Sequence, residues 1–365
     1  MWLIPYFGML DSNTLDWIKL SNIHGIGNKK FWSLIRYYKT ASEALKHVSL
    51  DGNNKVFNDI FIEKFLHDYK CKTNLLTYNN FPYKSTYFET YCPPVLYYRG
   101  NVNILNDKPR IAIIGARNSS ISGKTIASIM AENLAPHFII TSGMAHGIDT
   151  SALKAALNKG HPVLAILPFG FDNIYPKDNT KLFEKIAENG LVITSVFPNK
   201  TPDPGMFHAR NRLLVLLSKG VVVIEAAVKS GTMSTANLAL DFGIEVMVVP
   251  GSPLDHRYYG SNLLIKNGAP LVQNAQDVID IIGGNKMVNN TLNISTEDID
   301  TDIVDKSHST NISDIILSKL STVPTTIDEL VIETKFTVPK ILAAVSELVL
   351  EGKVIRTPSN SLVIS

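Results

Sequence analysis

The segment RIAIIGARNSSISG, residues 110–123, joins a short apolar run to a glycine-containing loop and then to a helical pattern. Five further apolar, β-branched runs follow it, and a segment with helical periodicity succeeds each of them. The six runs are Ile111–Ile114, Phe138–Thr141, Val163–Leu167, Leu191–Ser195, Val221–Ile224 and Val246–Val249. Strands that are apolar throughout and alternate with helices are typical of a parallel sheet buried on both faces. The sequence therefore predicts an α/β fold with an extended Rossmann-like, doubly wound parallel sheet over residues 76–284.

Two smaller regions flank the predicted sheet. Residues 1–75 carry helical periodicity on both sides of a turn, residues 23–30, and predict a small helical N-terminal domain. The turn contains Gly25 and Gly27 and resembles a helix-hairpin-helix or SAM-like element, which can present backbone N–H groups to a phosphate backbone. A plain tight connection between two helices explains it equally well.

The C-terminal region has the pattern of a second domain. Residues 311–365 predict three short helices and a hairpin, which is the plan of a winged-helix domain. Its predicted recognition helix carries only Lys340 as a cation, which weakens a role in reading duplex DNA. The intervening residues 285–310 are rich in Asn, Ser, Thr and acidic residues and predict an acidic flexible linker.

Composition limits the possible functions. A net charge of +2 over 365 residues argues against a protein coated in positive charge, so any nucleic-acid site must be a local patch. The two cysteines, Cys71 and Cys92, make a disulfide framework improbable and fit a reducing cytoplasm. No apolar run resembles a membrane span or an export signal, so we expect a cytoplasmic protein without membrane attachment.

The residues that follow the predicted strands carry the functional signal. In an open parallel sheet, ligands bind outside the carboxyl ends of the strands. Glycine, serine and arginine are concentrated in these loops, as in Gly115–Ser120, Ser142–Asp149 and Lys229–Thr235. Glycines let backbone N–H groups approach an anion, and the planar fork of arginine matches a phosphate. This edge of the sheet therefore predicts a cradle for several phosphates.

Two cofactor motifs fail at this edge. Ser122-Gly123-Lys124-Thr125 resembles the end of a P-loop, but the required glycine is replaced by Asn118. The loop 115–120 fails the dinucleotide fingerprint because its third residue is Arg117. The histidines are scattered without metal-ligand spacing. We therefore expect no cofactor and no metal.

Taken together in order, the motifs resemble the DNA-processing protein A (DprA/Smf) family over roughly residues 80–275. The motifs are Pro93–Gly100, Gly115–Arg117, Ser142–Asp149, Tyr175–Pro176, Arg210–Arg212 and Ser230–Thr232. The resemblance implies a non-catalytic protein that binds single-stranded DNA in a basic pocket, dimerises through its Rossmann-like domain and hands the strand to the RecA recombinase in natural transformation.

The same resemblance assigns roles to individual residues. The implied phosphate contacts are Arg117, Lys177, Arg210 and Arg212. The implied amide and hydroxyl donors are Ser142, Gly143, Asn211, Ser230 and Gly231. Three positions depart from the family pattern, namely Leu153, Val196 and Ile244, and they alter a polar network around Asp149.

An enzyme is the alternative. Nucleotide-cleaving hydrolases of the lysine-decarboxylase-like fold look similar, but they place a glutamate three residues after the threonine of a late glycine-rich loop. Here Thr235 occupies that position after Thr232. Asp149, Asp172 and Glu225 remain as carboxylates near the edge, and each has an ordinary structural explanation. We therefore expect a protein without catalytic residues.

Overall fold

The structure, a computed structural model, divides the chain into two units, Met1–Asn289 and Asn290–Ser365. It describes residues 12–23, 25–48, 73–77, 91–200, 204–283, 312–320, 326–334, 336–357 and 361–364. The predicted linker, residues 285–310, lies outside the described residues.

Among the described residues, eight strands form the sheet of the first unit. They are β1 Asn74–Thr77, β2 Val95–Gly100, β3 Arg110–Ile114, β4 Ile139–Ser142, β5 Val163–Leu167, β6 Leu191–Thr194, β7 Gly220–Val223 and β8 Glu245–Val248. Their order is β1-β2-β6-β5-β4-β3-β7-β8. The six strands from β3 to β8 are parallel, which confirms the predicted fold class. The antiparallel strands β1 and β2, which extend the sheet beyond β6, were not predicted.

Helices cover both faces of the sheet. They are α1 Ser12–Asn22, α2 Asn28–Tyr38, α3 Ala41–His47, α4 Ile104–Asp107, α5 Ile121–Leu134, α6 Ile148–Asn158, α7 Thr180–Asn189, α8 Pro204–Leu216, α9 Gly231–Asp241, α10 Tyr259–Lys266 and α11 Ala275–Ile282. Alternate residues of β3 face opposite layers. Ile111 and Ile113 pack in the layer of α5, α6 and α7, while Ala112 and Ile114 pack in the layer of α8 and α9.

The strand order reverses at β3. From β3 the chain winds through β4 and β5 to β6 on one side, and then returns to place β7 and β8 on the other side. The loops after the neighbouring strands β3 and β7 therefore leave in opposite directions. A crevice opens between such loops at the carboxyl edge of a doubly wound sheet.

The N-terminal helices are joined by the glycine-containing turn. Gly25 has a φ of +81°, a left-handed conformation that favours glycine. The rings of Trp17, Phe31 and Trp32 pack edge to face, with centroids 5.3–5.6 Å apart. The indole Nε1 of Trp32 donates a hydrogen bond of 2.9 Å to the carbonyl of Cys92, which fixes α2 to the segment that precedes β2.

The second unit has the predicted winged-helix elements. They are α12 Ile312–Lys319, α13 Ile327–Thr334, α14 Val338–Leu350, β9 Val354–Arg356 and β10 Leu362–Ile364. The two strands pair antiparallel. Ile316, Leu330 and Ile341 are buried in the core between the three helices.

A substitution at Gly100, the last residue of β2, tests the packing of the antiparallel strands. Gly100 has a φ of +103°, and a Cβ there would overlap the backbone carbonyl of Gly190. We expect Gly100→Ala to lower the free energy of unfolding by about 3 kcal/mol, because left-handed strain and backbone overlap add. Gly160 is the matched control, since its φ is +80° but no atom lies within 4 Å of an added Cβ. We expect Gly160→Ala to cost about 1 kcal/mol in chemical unfolding, and equal costs for the two variants would contradict the packing described.

Candidate nucleic-acid interface

A cavity of about 850 Å³ lies at the strand-order reversal. The loops after β3, β4 and β7 contribute to its wall, as do α8, the start of α9 and the loop after β8. The polar, charged and aromatic residues on its wall include Arg117, Asp149, Phe207, His208, Arg210, Asn211, Ser230, Gly231, His256 and Arg257. The site thus lies where an open α/β sheet binds its ligands.

Arg117 is the exposed cation of the cavity wall. It follows β3 directly, and its guanidinium carbon lies 5.2 Å from the ring centroid of Phe207. Within the described part of the chain, no carboxylate lies within 4.0 Å of this guanidinium. Its positive charge is therefore accessible to a ligand, and a cation–π contact with the ring of Phe207 helps to hold the side chain in place.

Arg210 has a different environment from the one its sequence motif suggests. Its side chain is buried, and Nη1 donates hydrogen bonds to the carbonyls of Gly143 at 2.6 Å and Ile166 at 2.9 Å. Its Nε donates to Oδ1 of Asn211 at 2.9 Å. Burial lowers the pKa of Arg210 to about 10, although the charge of Asp149 acts in the opposite direction. This guanidinium therefore ties α8 to the ends of β4 and β5. Arg210 also lines the cavity, and its contact with phosphate stays a prediction.

Two predicted donors also bind within the protein. The hydroxyl of Ser142 is buried and donates to the carbonyl of Ile113 at 2.7 Å. The amide of Gly143 donates to Oδ2 of Asp149 at 3.1 Å. Both donors therefore have partners inside the protein, and their contact with phosphate stays a prediction.

Gly143 joins two buried charges. Its amide binds Asp149 and its carbonyl accepts from Arg210, while an added Cβ would overlap the guanidinium. Burial raises the pKa of Asp149, against the lowering effects of Arg210 and of two backbone amides. The glycine is thus required because the arginine occupies the space of a side chain.

The remaining predicted residues divide into two groups. Ser230, Gly231 and Asn211 line the cavity with Arg117. The hydroxyl of Ser230 accepts from the amide of Met233 at 3.2 Å and caps α9. Contact of these three residues with phosphate stays a prediction.

Lys177 and Arg212 lie outside the residues that line the cavity. Lys177 is exposed at the start of a 3₁₀ turn, Lys177–Asn179. The guanidinium carbon of Arg212 lies 5.4 Å from the ring centroid of Tyr91. Of the four predicted cations, Arg117 and Arg210 line this cavity, and the roles of Lys177 and Arg212 stay predictions.

Sequence reasoning missed Arg257 on the cavity wall. Its Nη2 lies 2.6 Å from Oδ2 of Asp255, and its Nε donates to both carboxylate oxygens of Asp255 at 2.9 and 3.0 Å. The Arg257 guanidinium lowers the pKa of Asp255 to about 2. The signal was present, because the loop after β8 lies at the carboxyl edge of the sheet, but the sequence argument ended at Gly251.

A carboxylate lies at the start of α5, where the P-loop-like residues are found. Glu225 is buried and accepts from both the amide and the hydroxyl of Ser120, the residue that caps α5. An added Cβ at Gly123 would overlap the Glu225 carboxylate. A side chain of the protein thus supplies the negative charge that a P-loop helix would receive from phosphate.

The three departures from the family pattern pack as apolar residues. Leu153 and Val196 are buried, and Ile244 is partly buried against the layer of α8 and α9. Among the described residues, no group of three or more His, Cys, Asp or Glu side chains is arranged to hold a metal ion. Across the same described ranges, no helix has the length and apolar character to cross a membrane.

The coupling of Asp149 and Arg210 is testable. We expect Asp149→Asn to lower the free energy of unfolding by about 3 kcal/mol, because a buried cation loses its countercharge while the amide acceptor is kept. The double variant Asp149→Asn/Arg210→Gln should cost about 1–2 kcal/mol less than the sum of the single variants. Chemical denaturation measures this, with exposed Glu188→Gln as a control that changes stability by less than about 0.5 kcal/mol. Additive costs would contradict the coupling.

Comparison with known proteins identifies relatives of the chain. Residues 74–283 match the family model of DNA recombination-mediator protein A, and residues 305–360 match the DprA winged helix domain. DNA processing protein DprA of Streptococcus pneumoniae is 38% identical over 187 residues, which are 51% of this chain and 66% of that protein. Protein Smf of Synechocystis sp. is 31% identical over 294 residues, which are 75% of this chain and 74% of that protein.

Two solved structures are similar. The crystal structure of DprA from Streptococcus pneumoniae has a TM-score of 0.59 and 29% identity, covering 76% of this chain and 98% of that chain. DNA processing protein A from Helicobacter pylori, whose structure concerns a single-stranded DNA binding mode, has a TM-score of 0.52 and 31% identity, covering 58% and 96%. Because the matched family model spans more than half of the 365 residues and the relatives share its name, the chain belongs to the DNA recombination-mediator protein A (DprA/Smf) family.

Proposed function

We propose that this protein binds single-stranded DNA without catalysis, with the sugar-phosphate backbone passing through the cavity at the strand-order reversal. The observation that carries the proposal is the exposed guanidinium of Arg117, which lies over the ring of Phe207 in that cavity and has no ion-pair partner among the described residues. A cation held on a rigid sheet neutralises backbone charge without reading the base sequence. The binding mode described for the Helicobacter pylori relative supports the choice of ligand.

The cavity has complementary groups for a nucleic-acid strand. Gly231 begins α9, and the N-terminus of a helix favours negative charge. Ser230 and Asn211 add polar groups beside it. The partly buried ring of Phe207 offers an apolar surface near the cation, and aromatic side chains contribute to the binding of single strands regardless of sequence.

The cellular role extends this proposal. In our account the protein acts in the cytoplasm as a homodimer, protects single strands and helps to load the RecA recombinase during natural transformation or homologous recombination. Membership of the family supports this role. The free, buried thiol of Cys92 is compatible with a reducing compartment.

The environment of the carboxylates favours binding over hydrolysis. Asp149 and Glu225 are both buried and accept hydrogen bonds from backbone amides within the protein. A general acid or base must reach the proton that it transfers. Glu225 does not line the cavity, and Asp149, which does, is only 6% exposed and already accepts hydrogen bonds from two backbone amides. Thr235 stands where the alternative hydrolase family has its glutamate.

The DNA-binding proposal predicts a defined loss in one variant. We expect Arg117→Gln to weaken binding of a labelled single-stranded oligonucleotide about tenfold and to reduce the salt slope by about 0.7, because one counterion fewer is released. Fluorescence anisotropy over a salt series measures both quantities. Lys124→Gln removes an exposed charge on α5 outside the cavity and should bind as the wild type does. If the wild-type protein does not bind single strands, or if the Arg117 variant binds them as tightly as the wild type does, the proposal is refuted.

Asp255 should act as a competitor for phosphate. Its carboxylate already holds the fork of Arg257 that a phosphate would bind. We expect Asp255→Asn to tighten binding of single strands about threefold and to steepen the salt slope, because the arginine charge is released to the ligand. The asparagine keeps an acceptor for the amide of Arg257, which Asp255 caps.

Substitution of the other member of the pair should change the affinity for single strands in the opposite direction. Arg257→Gln should weaken binding about threefold in the same anisotropy titration. If both variants bind as the wild type does, the Asp255–Arg257 pair has no part in DNA binding. Weaker binding of Asp255→Asn would show that the carboxylate supports the ligand rather than competing with it.

A further inference from the structure

Two cations share one aromatic ring at the junction between the N-terminal helices and α8. The Nζ of Lys29 lies 5.0 Å from the ring centroid of Tyr91, and the guanidinium carbon of Arg212 lies 5.4 Å from the same centroid. We call Lys29, Tyr91 and Arg212 the Tyr91 cluster. It brings together residues from three separate parts of the sequence.

The two charges of the Tyr91 cluster have no ion-pair partner among the described residues. In the portion of the chain that the structure describes, no carboxylate lies within 4.0 Å of either cation. Their distances to the shared centroid place them at most 10.4 Å apart, which is close to one Debye length at physiological salt. Salt screens their mutual repulsion at the upper end of this range, and a chain of negative charges laid across them would neutralise both.

The arrangement is held by the backbone. The side-chain amide of Asn28 donates to the carbonyl of Tyr91 at 2.8 Å, and Trp32 donates to the carbonyl of Cys92. Both contacts come from α2, so the backbone of Lys29 is held at a fixed position relative to the backbone of Tyr91. Lys29 and Lys30 also lie in the first turn of α2, where the helix dipole disfavours positive charge and where no acidic residue is present. Helix stability therefore does not account for these lysines.

Neighbouring positions on α8 connect the cluster to the cavity: His208 is exposed and Arg212 is half-buried. His208 and Arg212 are four residues apart and are neighbours on the helix surface. His208 lines the cavity, while Arg212 belongs to the Tyr91 cluster. Arg210, which lies between these two residues in the sequence, is buried. The helix α8 contains no acidic residue that would repel a phosphate chain.

We infer that the Tyr91 cluster is a second contact surface for single-stranded nucleic acid, which binds the backbone of the strand after it leaves the cavity. The inference rests on the proposed function and extends it to the N-terminal helical region. Strands that fill only the cavity do not reach the cluster. Longer strands cross α8 and bind Lys29 and Arg212 through their phosphates, without regard to base sequence.

A length series tests the inference. Anisotropy titrations would compare labelled oligothymidylates of about 6 and about 25 nucleotides. We expect Lys29→Gln/Arg212→Gln to bind the longer strand about tenfold more weakly, with a salt slope smaller by about 1.4, and to bind the short strand as the wild type does. Arg117→Gln should weaken both strands. Lys154→Gln/Lys185→Gln removes the same charge from exposed positions on α6 and α7 and should leave both affinities unchanged.

Each other outcome overturns a defined statement. If the wild type binds and the Lys29/Arg212 variant matches it at both lengths, the second surface is refuted while the proposed function stands. If the Lys29/Arg212 variant binds the short and the long strand equally weakly, the cluster belongs to the first site. If the Lys154/Lys185 control weakens binding of the long strand as much as the Lys29/Arg212 variant does, the effect is due to net charge alone. A wild type that binds neither strand refutes the proposed function itself. The single variant Lys29→Gln gives the same test with half the slope change if the double variant does not fold.

Discussion

The reversal of strand order at β3 is the constraint on which the site depends. Parallel strands place all their carboxyl ends at one edge, and the loops after β3 and β7 diverge there. The resulting cavity is a consequence of topology rather than of any single motif. Buried polar contacts then keep it in shape: Arg210 binds the carbonyls at the ends of β4 and β5, and Asp149 binds the amide of Gly143.

Charged residues at this edge serve two purposes that burial separates. Arg210, Asp149 and Glu225 are buried and hydrogen-bonded, so they stabilise the loops. Arg117 is exposed and has no ion-pair partner among the described residues, whereas Arg257 is paired with the carboxylate of Asp255. The motif Arg210–Arg212 thus combines a buried arginine with one whose guanidinium lies against the ring of Tyr91. In this account the exposed cations provide affinity, and the buried ones provide the geometry.

The fold class could be predicted from the sequence because the pattern that marks each strand lies within a few consecutive residues. Each of the six apolar runs, such as Val163–Leu167, carries its own strand pattern, and the loops that follow must share one edge. The strands β1 and β2 were missed because they depend on antiparallel pairing with β6, which is distant in sequence. The motif Arg210–Arg212 could not reveal that its first arginine is buried while its last lies against Tyr91, since side-chain burial is decided by tertiary packing. Arg117 lies on the cavity wall, and its contact with phosphate stays a prediction. Arg257 was missed because it lies six residues beyond Gly251, where the motif after the last strand ends.

The most direct test of the account is a crystal structure of the protein with a bound oligothymidylate. The account predicts a backbone phosphate in the cavity, with its oxygen about 2.7–2.9 Å from the guanidinium of Arg117. It also predicts that Arg210 keeps its contacts with the carbonyls of Gly143 and Ile166. A strand bound elsewhere on the surface, with the cavity free of nucleic acid, would contradict the central claim.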